Sequence, residues 1–188
     1  LKIVIRLAFL FEAIGIVLLA FAFVPQFGLE GIWISIFTAI SAFCNAGFDL
    51  FGRFGQYSSL VPFVHNYYVQ AVVMFLIMAG GLGFMVWVEL AEYRKKRRLS
   101  LHAKVVLQFS AIFWVGGAVL LALLEWSNPR TMGGLSVPGK IMAALFQSVS
   151  TRTAGMNTID LAACSPISKL LMSVLQFIGA APGSTGGG

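Results

Sequence analysis

A chain of 188 residues that is 59% hydrophobic and only 11% charged has too few charges to solvate the surface of a water-soluble helical bundle. Its mean hydropathy of +0.89 comes from long uncharged runs, as expected of a chain whose solvent is lipid. The net charge of +6 gathers in one short loop without the basic, aromatic-interleaved face of a nucleic-acid binder, so no nucleic-acid partner is indicated.

The first apolar run, about Ile3 to Val24, reaches roughly 33 Å as a helix and is long enough to span a bilayer. It reads as a span rather than a cleavable signal peptide, being too long and lacking a small-residue cleavage site. Glu12 lies deep in it and should face protein. Pro25, Gly28 and Gly31 are expected to end the helix. The next run, "GIWISIFTAISAFCNAGF" (Gly31 to Phe48), is dotted with Ser35, Thr38, Ser41 and Asn45. It offers ~12 to 14 residues of clean helix, too few to cross, and reads as a re-entrant helix. A second span is predicted over about Tyr67 to Leu90, with close helix approach at "MAGGLGF", Met78 to Phe84.

The stretch "EYRKKRRLSLHAK", Glu92 to Lys104, carries six of the 13 basic residues and is cytoplasmic by the positive-inside rule. A third span follows, about Ala103 to Trp126, then an outside loop, "SNPRTMGGLSVPGK". "IMAALFQSVSTRTAGM", Ile141 to Met156, is again apolar, hydroxyl-rich and too short to cross. A last helix is predicted from Pro166, a good first helical residue, to about Ile178, where "GAAPGSTGGG" breaks it in mid-membrane. The cysteines Cys44 and Cys164 form no C-x-x-C and the histidines His65 and His102 are isolated, so no metal cluster is indicated. Glu12 and Glu89 read as packing acids and Cys44 as a packed small side chain.

These segments form two copies of one unit. "GIVLLA" (Gly15 to Ala20) matches "GAVLLA" (Gly117 to Ala122), "NAGFDL" (Asn45 to Leu50) answers "TAGMNTIDL" (Thr153 to Leu161), and "FLIMAGG" (Phe75 to Gly81) answers "LQFIGAA" (Leu175 to Ala181), at offsets of about 100 residues. The fold class expected is an all-α integral membrane protein of span, re-entrant pore helix, span units (M1-P-M2) around a central pore, as in potassium channels. Residues 1–93 form one unit, 94–102 a basic loop, and 103–188 a second unit with a broken last helix. Two units of like orientation suit an axial pore better than a rocking transporter.

Each short helix ends in Ala-Gly: Ala46-Gly47 and Ala154-Gly155. Glycine permits the backbone angles that turn carbonyls toward one axis, and a helix C-terminus favours a cation. Ser41, Asn45, Ser150, Thr151 and Thr153 could hold such a backbone from behind. The same pattern fits two turn glycines in extracellular loops, and a membrane scaffold would use it so. No paired acids or nucleophile–base pair suggests an enzyme. Arg152, close to a cation path, reads as a structural residue bonded to carbonyls or to an acid such as Asp160.

"ISAFCNAGFDLFG", "QSVSTRTAGMNTIDL" and "FIGAAPGSTGGG" resemble signature stretches of the Trk/Ktr/HKT superfamily of cation transporters, and "TRTAGMNT" is most similar to its bacterial potassium-uptake subunits of the KtrB type. Met156 stands where Phe is more usual and Ala181 where Ser is more usual. The resemblance implies a middle stretch of a four-unit chain, matching units two and three. It implies potassium uptake through a filter of backbone carbonyls from Asn45, Ala46, Gly47 and Phe48, and from Thr153, Ala154, Gly155 and Met156. It implies an intramembrane gate at Ala181, Pro182, Gly183, Ser184, Thr185, Gly186, Gly187 and Gly188. K+ would be held by backbone carbonyls only, with Na+ as a coupling or activating ion and no cofactor in this chain. The implied setting is the bacterial plasma membrane, multi-pass, as a homodimer in the lipid bilayer with a cytoplasmic nucleotide-binding regulatory ring of the KtrA type. A Trk-type or Na+-permeable relative is the neighbouring alternative. For the gate stretch, a plain helix end at the cytoplasmic surface is the other reading.

The charge asymmetry makes a topological prediction. In a background without native cysteines, a cysteine at position 53 or 130 should react with a membrane-impermeant thiol reagent on intact cells, and one at position 98 should not. The reverse pattern would invert the orientation.

Overall fold

The computed structural model describes residues 2–187, apart from the side chains of Lys95 and Lys96. Leu1 and Gly188, the last residue of the expected gate stretch, lie outside the described residues. Every regular element described is helical. Helices α1 (Lys2–Phe27) and α5 (Leu101–Glu125) are each long and apolar enough to cross a membrane. Between them come α2 (Glu30–Phe43), α3 (Tyr67–Gly81) and α4 (Phe84–Lys96), and after them α6 (Val137–Thr151) and α7 (Pro166–Ile178).

Local chemistry marks the helix starts. Asn66 accepts a hydrogen bond from the Val69 N–H (3.1 Å) at the head of α3, and Ser100 accepts one from Ala103 (3.1 Å) at the head of α5. Ser136 does the same for Gly139 (3.4 Å) in α6, and Ser165 for Ser168 (3.2 Å) in α7, just ahead of Pro166. Each such cap is worth about 1 kcal/mol. Ser100 also donates its hydroxyl to Glu89 (2.7 Å), which accepts the Ser100 N–H as well (2.8 Å), so that α4 is fastened to α5 across the basic turn.

Small residues set how closely the helices pack. α1 turns into α2 at Gly28 (φ +61°), and Gly31 sits so near the Phe23 carbonyl that a Cβ there would overlap it. Gly15 of α1 meets Leu76 of α3, and Gly117 of α5 meets Ser148 of α6, whose hydroxyl donates to the Trp114 carbonyl (2.8 Å). Toward one end, Phe23, Phe27, Phe51, Phe54 and Phe63 form an aromatic cluster, with Phe51 and Phe63 centroids 4.9 Å apart. The outward faces of α1 and α5 remain apolar, with Phe9, Phe21, Ile112, Val115 and Leu123 exposed, a surface suited to lipid rather than water.

Three sequence expectations are revised. The run Tyr67–Leu90 is not one continuous helix: it breaks at Gly81–Gly83, where Gly83 takes φ +87°, and α4 leaves α3 at 97°. Pro25 does not end α1, which continues to Phe27 and stops at Gly28 (φ +61°); the proline costs the helix a single i→i−4 bond, and the two residues after it stay helical. The outside loop is shorter than expected because α6 begins at Val137, with Pro138 in its first turn. The last helix does end at Ile178, and Gly179 adopts φ +71°.

Glu125, fully buried at the end of α5, was not singled out by the sequence. Its carboxylate accepts from Asn128 (2.7 Å), Thr131 (2.7 Å), the Ser165 N–H (2.8 Å) and Ser168 (2.6 Å). It ties the end of α5 to the N-terminus of α7, where the helix dipole favours a negative charge. A buried charge is tolerable only with this degree of hydrogen bonding.

Candidate functional site

α2 and α6 converge so that the segments leaving their C-termini meet. After α2, Ala46 N–H bonds back to the Ser41 carbonyl (2.9 Å); after α6, Ala154 and Gly155 N–H bond back to the Ser150 carbonyl (2.9 and 3.1 Å). Gly47 and Gly155 then take nearly the same left-handed angle, φ +75° and +78°. A Cβ on Gly47 would overlap the Ala154 carbonyl oxygen, and one on Gly155 would lie 4.0 Å from the Gly47 Cα. The two glycine segments therefore touch, with the Ala154 carbonyl directed at Gly47.

Serines brace both segments. Ser41 donates to the Phe48 carbonyl (2.6 Å), and Ser150 donates to the Met156 carbonyl. Each carbonyl just past its glycine thus has one lone pair occupied. Thr151 instead bonds the Gln147 carbonyl of its own helix (2.9 Å). Asn45 is 8% exposed and non-glycine, yet takes φ +51°; its amide nitrogen lies 3.4 Å from the Thr185 hydroxyl, and its Oδ1 is buried without a partner. Thr153 packs against Gly186, where an added Cβ would come within 2.9 Å of it.

Beneath the glycines, the segment after α7 packs into the break between α3 and α4. Ala181 N–H donates to the Gly81 carbonyl (3.1 Å), Thr185 N–H to Gly80 (3.2 Å), and Phe84 N–H to Gly183 (3.2 Å). Each broken helix supplies the hydrogen bonds the other lost. Thr185 also donates its hydroxyl to the carbonyl of Phe43, the last residue of α2 (2.7 Å), and Gly80 has no room for a side chain between that carbonyl and Thr185.

Arg152 is 7% exposed and is bonded to a carbonyl, one of the two kinds of partner expected for it. Its Nε donates to the Gly179 carbonyl at the end of α7 (2.9 Å), and its guanidinium lies 5.4 Å from the Phe113 ring centre. A cation at a helix C-terminus is electrostatically favoured. The adjoining cleft of about 420 Å³ is lined by Thr151, Arg152, Thr153, Gly155, Gly179 and Gly186. Glu12 faces protein as expected, with the Cys44 thiol 3.8 Å from its carboxylate. Both cysteines are free. Burial, then the charge of Glu125, pushes the Cys164 thiol up to about 11, so it is protonated at neutral pH. Among the described residues, no three His, Cys, Asp or Glu side chains cluster as metal ligands would.

Residues 1–188 match the TrkH family of cation transport proteins. The chain belongs to that family. It is 40% identical to the potassium/sodium uptake protein NtpJ of Enterococcus hirae over 98% of its length. It is 40% identical to Ktr system potassium uptake protein B of Vibrio alginolyticus over 100% of its length, and 35% identical to the protein of the same name in Bacillus subtilis over 98%. It spans only 40–41% of these TrkH relatives' own lengths. The superfamily resemblance read from the three motifs is thereby established.

Sequence reasoning named the glycines and missed the cross-links. The repeat carried a usable signal: "FLIMAGG" answers "LQFIGAA", so a break in the second implied one in the first. Thr185's reach to Phe43 has no local signature.

A paired substitution tests the glycine geometry. Gly47→Ala should destabilise the full-length protein by about 2 kcal/mol or more, since it adds left-handed strain to steric overlap. Gly52→Ala, with nothing within 4 Å of the added carbon, should leave thermal stability in detergent nearly unchanged.

Proposed function

We propose that this chain supplies two span, pore-helix, span units of a bacterial potassium-uptake protein, α1 to α4 and α5 to α7. K+ passes between them through a filter of backbone carbonyls. One observation carries the reading: two short helices aim their C-termini at a meeting point where Gly47 and Gly155 share one left-handed conformation and touch. A dehydrating cation needs a ring of such carbonyls, and two helix C-termini add a favourable potential. The filter comprises Asn45, Ala46, Gly47 and Phe48 with Thr153, Ala154, Gly155 and Met156. The Ser41 and Ser150 bonds brace its carbonyls just past the glycines, those of Phe48 and Met156.

The stretch Ala181 to Gly187 is the gate. It has irregular backbone, with Gly183 at φ +73° and Gly187 at φ +76°, and lies against both filter segments. Irregular backbone at membrane depth persists where it lines a cavity or is satisfied by protein. The remaining units, the homodimer, the nucleotide-binding regulatory ring and the plasma-membrane setting belong to this proposal. The printed names of the relatives, which speak of a Ktr system and of potassium uptake, support it. A second reading, Na+ permeation, is favoured by the potassium/sodium name of the Enterococcus relative.

Flux measurements on the full-length protein in proteoliposomes test the filter. Gly155→Ser should lower the K+ over Na+ preference by about tenfold, equivalent to about 1.4 kcal/mol. An unchanged preference in the folded variant would remove the filter assignment and leave the scaffold reading.

Deletion of Gly183 to Gly187 tests the gate. Potassium flux should rise and depend less on the regulatory partner. A normally expressed deletion with unchanged or lower flux would contradict a gating role.

A further inference from the structure

We infer that Thr185 is a positioning residue for the cation filter, its hydroxyl fixing the foot of the filter segment that begins at Asn45. This rests on the filter reading above and adds a determinant of ion preference outside the filter itself.

The Thr185 hydroxyl has one proton, and it goes to the Phe43 carbonyl at 2.7 Å. Its oxygen is then left to accept from the Asn45 amide, 3.4 Å away. One side chain thus joins the last residue of α2 to the first residue of the glycine segment. That place needs fixing. Asn45 holds φ +51° without being glycine, a conformation that asparagine tolerates better than most residues but that still gains from a fixed side chain. Its other amide atom, Oδ1, is buried and unpartnered, so the Thr185 contact is the side chain's one polar tether among the described residues. Turning the Asn45 peptide would move its carbonyl and the Ala46 peptide, and with them the place where Gly47 meets the Ala154 carbonyl.

Thr185 is itself held by the α3 break, through its N–H to the Gly80 carbonyl (3.2 Å). Gly80 must be glycine here, because a Cβ would meet the Phe43 carbonyl and come within 2.6 Å of the Thr185 hydroxyl. On the other side, Gly186 abuts Thr153 of the second filter segment. The loop therefore does more than stand below the filter, since consecutive residues touch both of its halves. When the loop moves, the Asn45 tether goes with it, so ion preference and loop position are thermodynamically linked. An ion that favours the ordered filter favours the loop where it now lies.

The test uses the full-length protein in proteoliposomes, with K+ and Na+ uptake measured on one preparation. Thr185→Val removes the hydroxyl at nearly constant volume, Thr185→Ala removes it without a branched side chain, and Thr185→Ser restores it. Valine and alanine should each lower the K+ over Na+ preference about threefold or more, and serine should keep the native preference. If valine or alanine raises both fluxes alike with preference unchanged, Thr185 only fastens the loop and the inference is overturned. It is equally overturned if serine loses preference as much as valine. Gly155→Ser run alongside separates the failures. A shift there with none at position 185 removes this inference alone, and no shift at either removes the filter reading beneath it.

Discussion

Backbone polar groups freed inside an apolar environment must find partners within the protein, because each one left alone costs several kcal/mol. The breaks after α3 and α7 meet that demand through each other. Gly80, Gly81 and Gly183 offer carbonyls, and Thr185, Ala181 and Phe84 offer N–H groups. Neither break would be tolerable alone in apolar surroundings. Together they form an ordered floor of irregular backbone, and the position of everything above it follows from that floor.

The glycine segments stand directly on it. α2 and α6 end where their next residues can fold back on the carbonyls of Ser41 and Ser150, and the serine hydroxyls then catch the carbonyls of Phe48 and Met156. Each segment is held at both ends by its own helix. Close contact between the two requires an absent side chain at Gly47, where the Ala154 carbonyl takes the space. Arg152 lies at the α7 C-terminus beside Phe113, where its Nε bonds the Gly179 carbonyl.

The end of the bundle near Glu125 depends on a different device. The buried carboxylate of Glu125 gathers donors from the loop after α5 and from the head of α7, which sets where α7 begins. Since α7 is only 13 residues long, its start also sets where it breaks. Glu89 performs a smaller version at the opposite end, closing α4 onto Ser100.

Much of this was legible in the chain. Lipid as solvent, the short helices leading into Ala-Gly, the stop of α7 at Ile178 and the inward-facing Glu12 all follow from local composition, because helix length, hydropathy and glycine act over neighbouring residues. The break at Gly81–Gly83 was half legible, present in the repeat but masked by an apolar run that reads as a span. What only the tertiary structure decided is which distant groups answer one another: Gly81 with Ala181, Phe43 and Asn45 with Thr185, Arg152 with Gly179, and Glu125 with Ser168. Hydrogen bonds between residues so far apart in sequence leave no periodic trace, since any carbonyl can serve any donor and the choice is made by where the helices happen to pack.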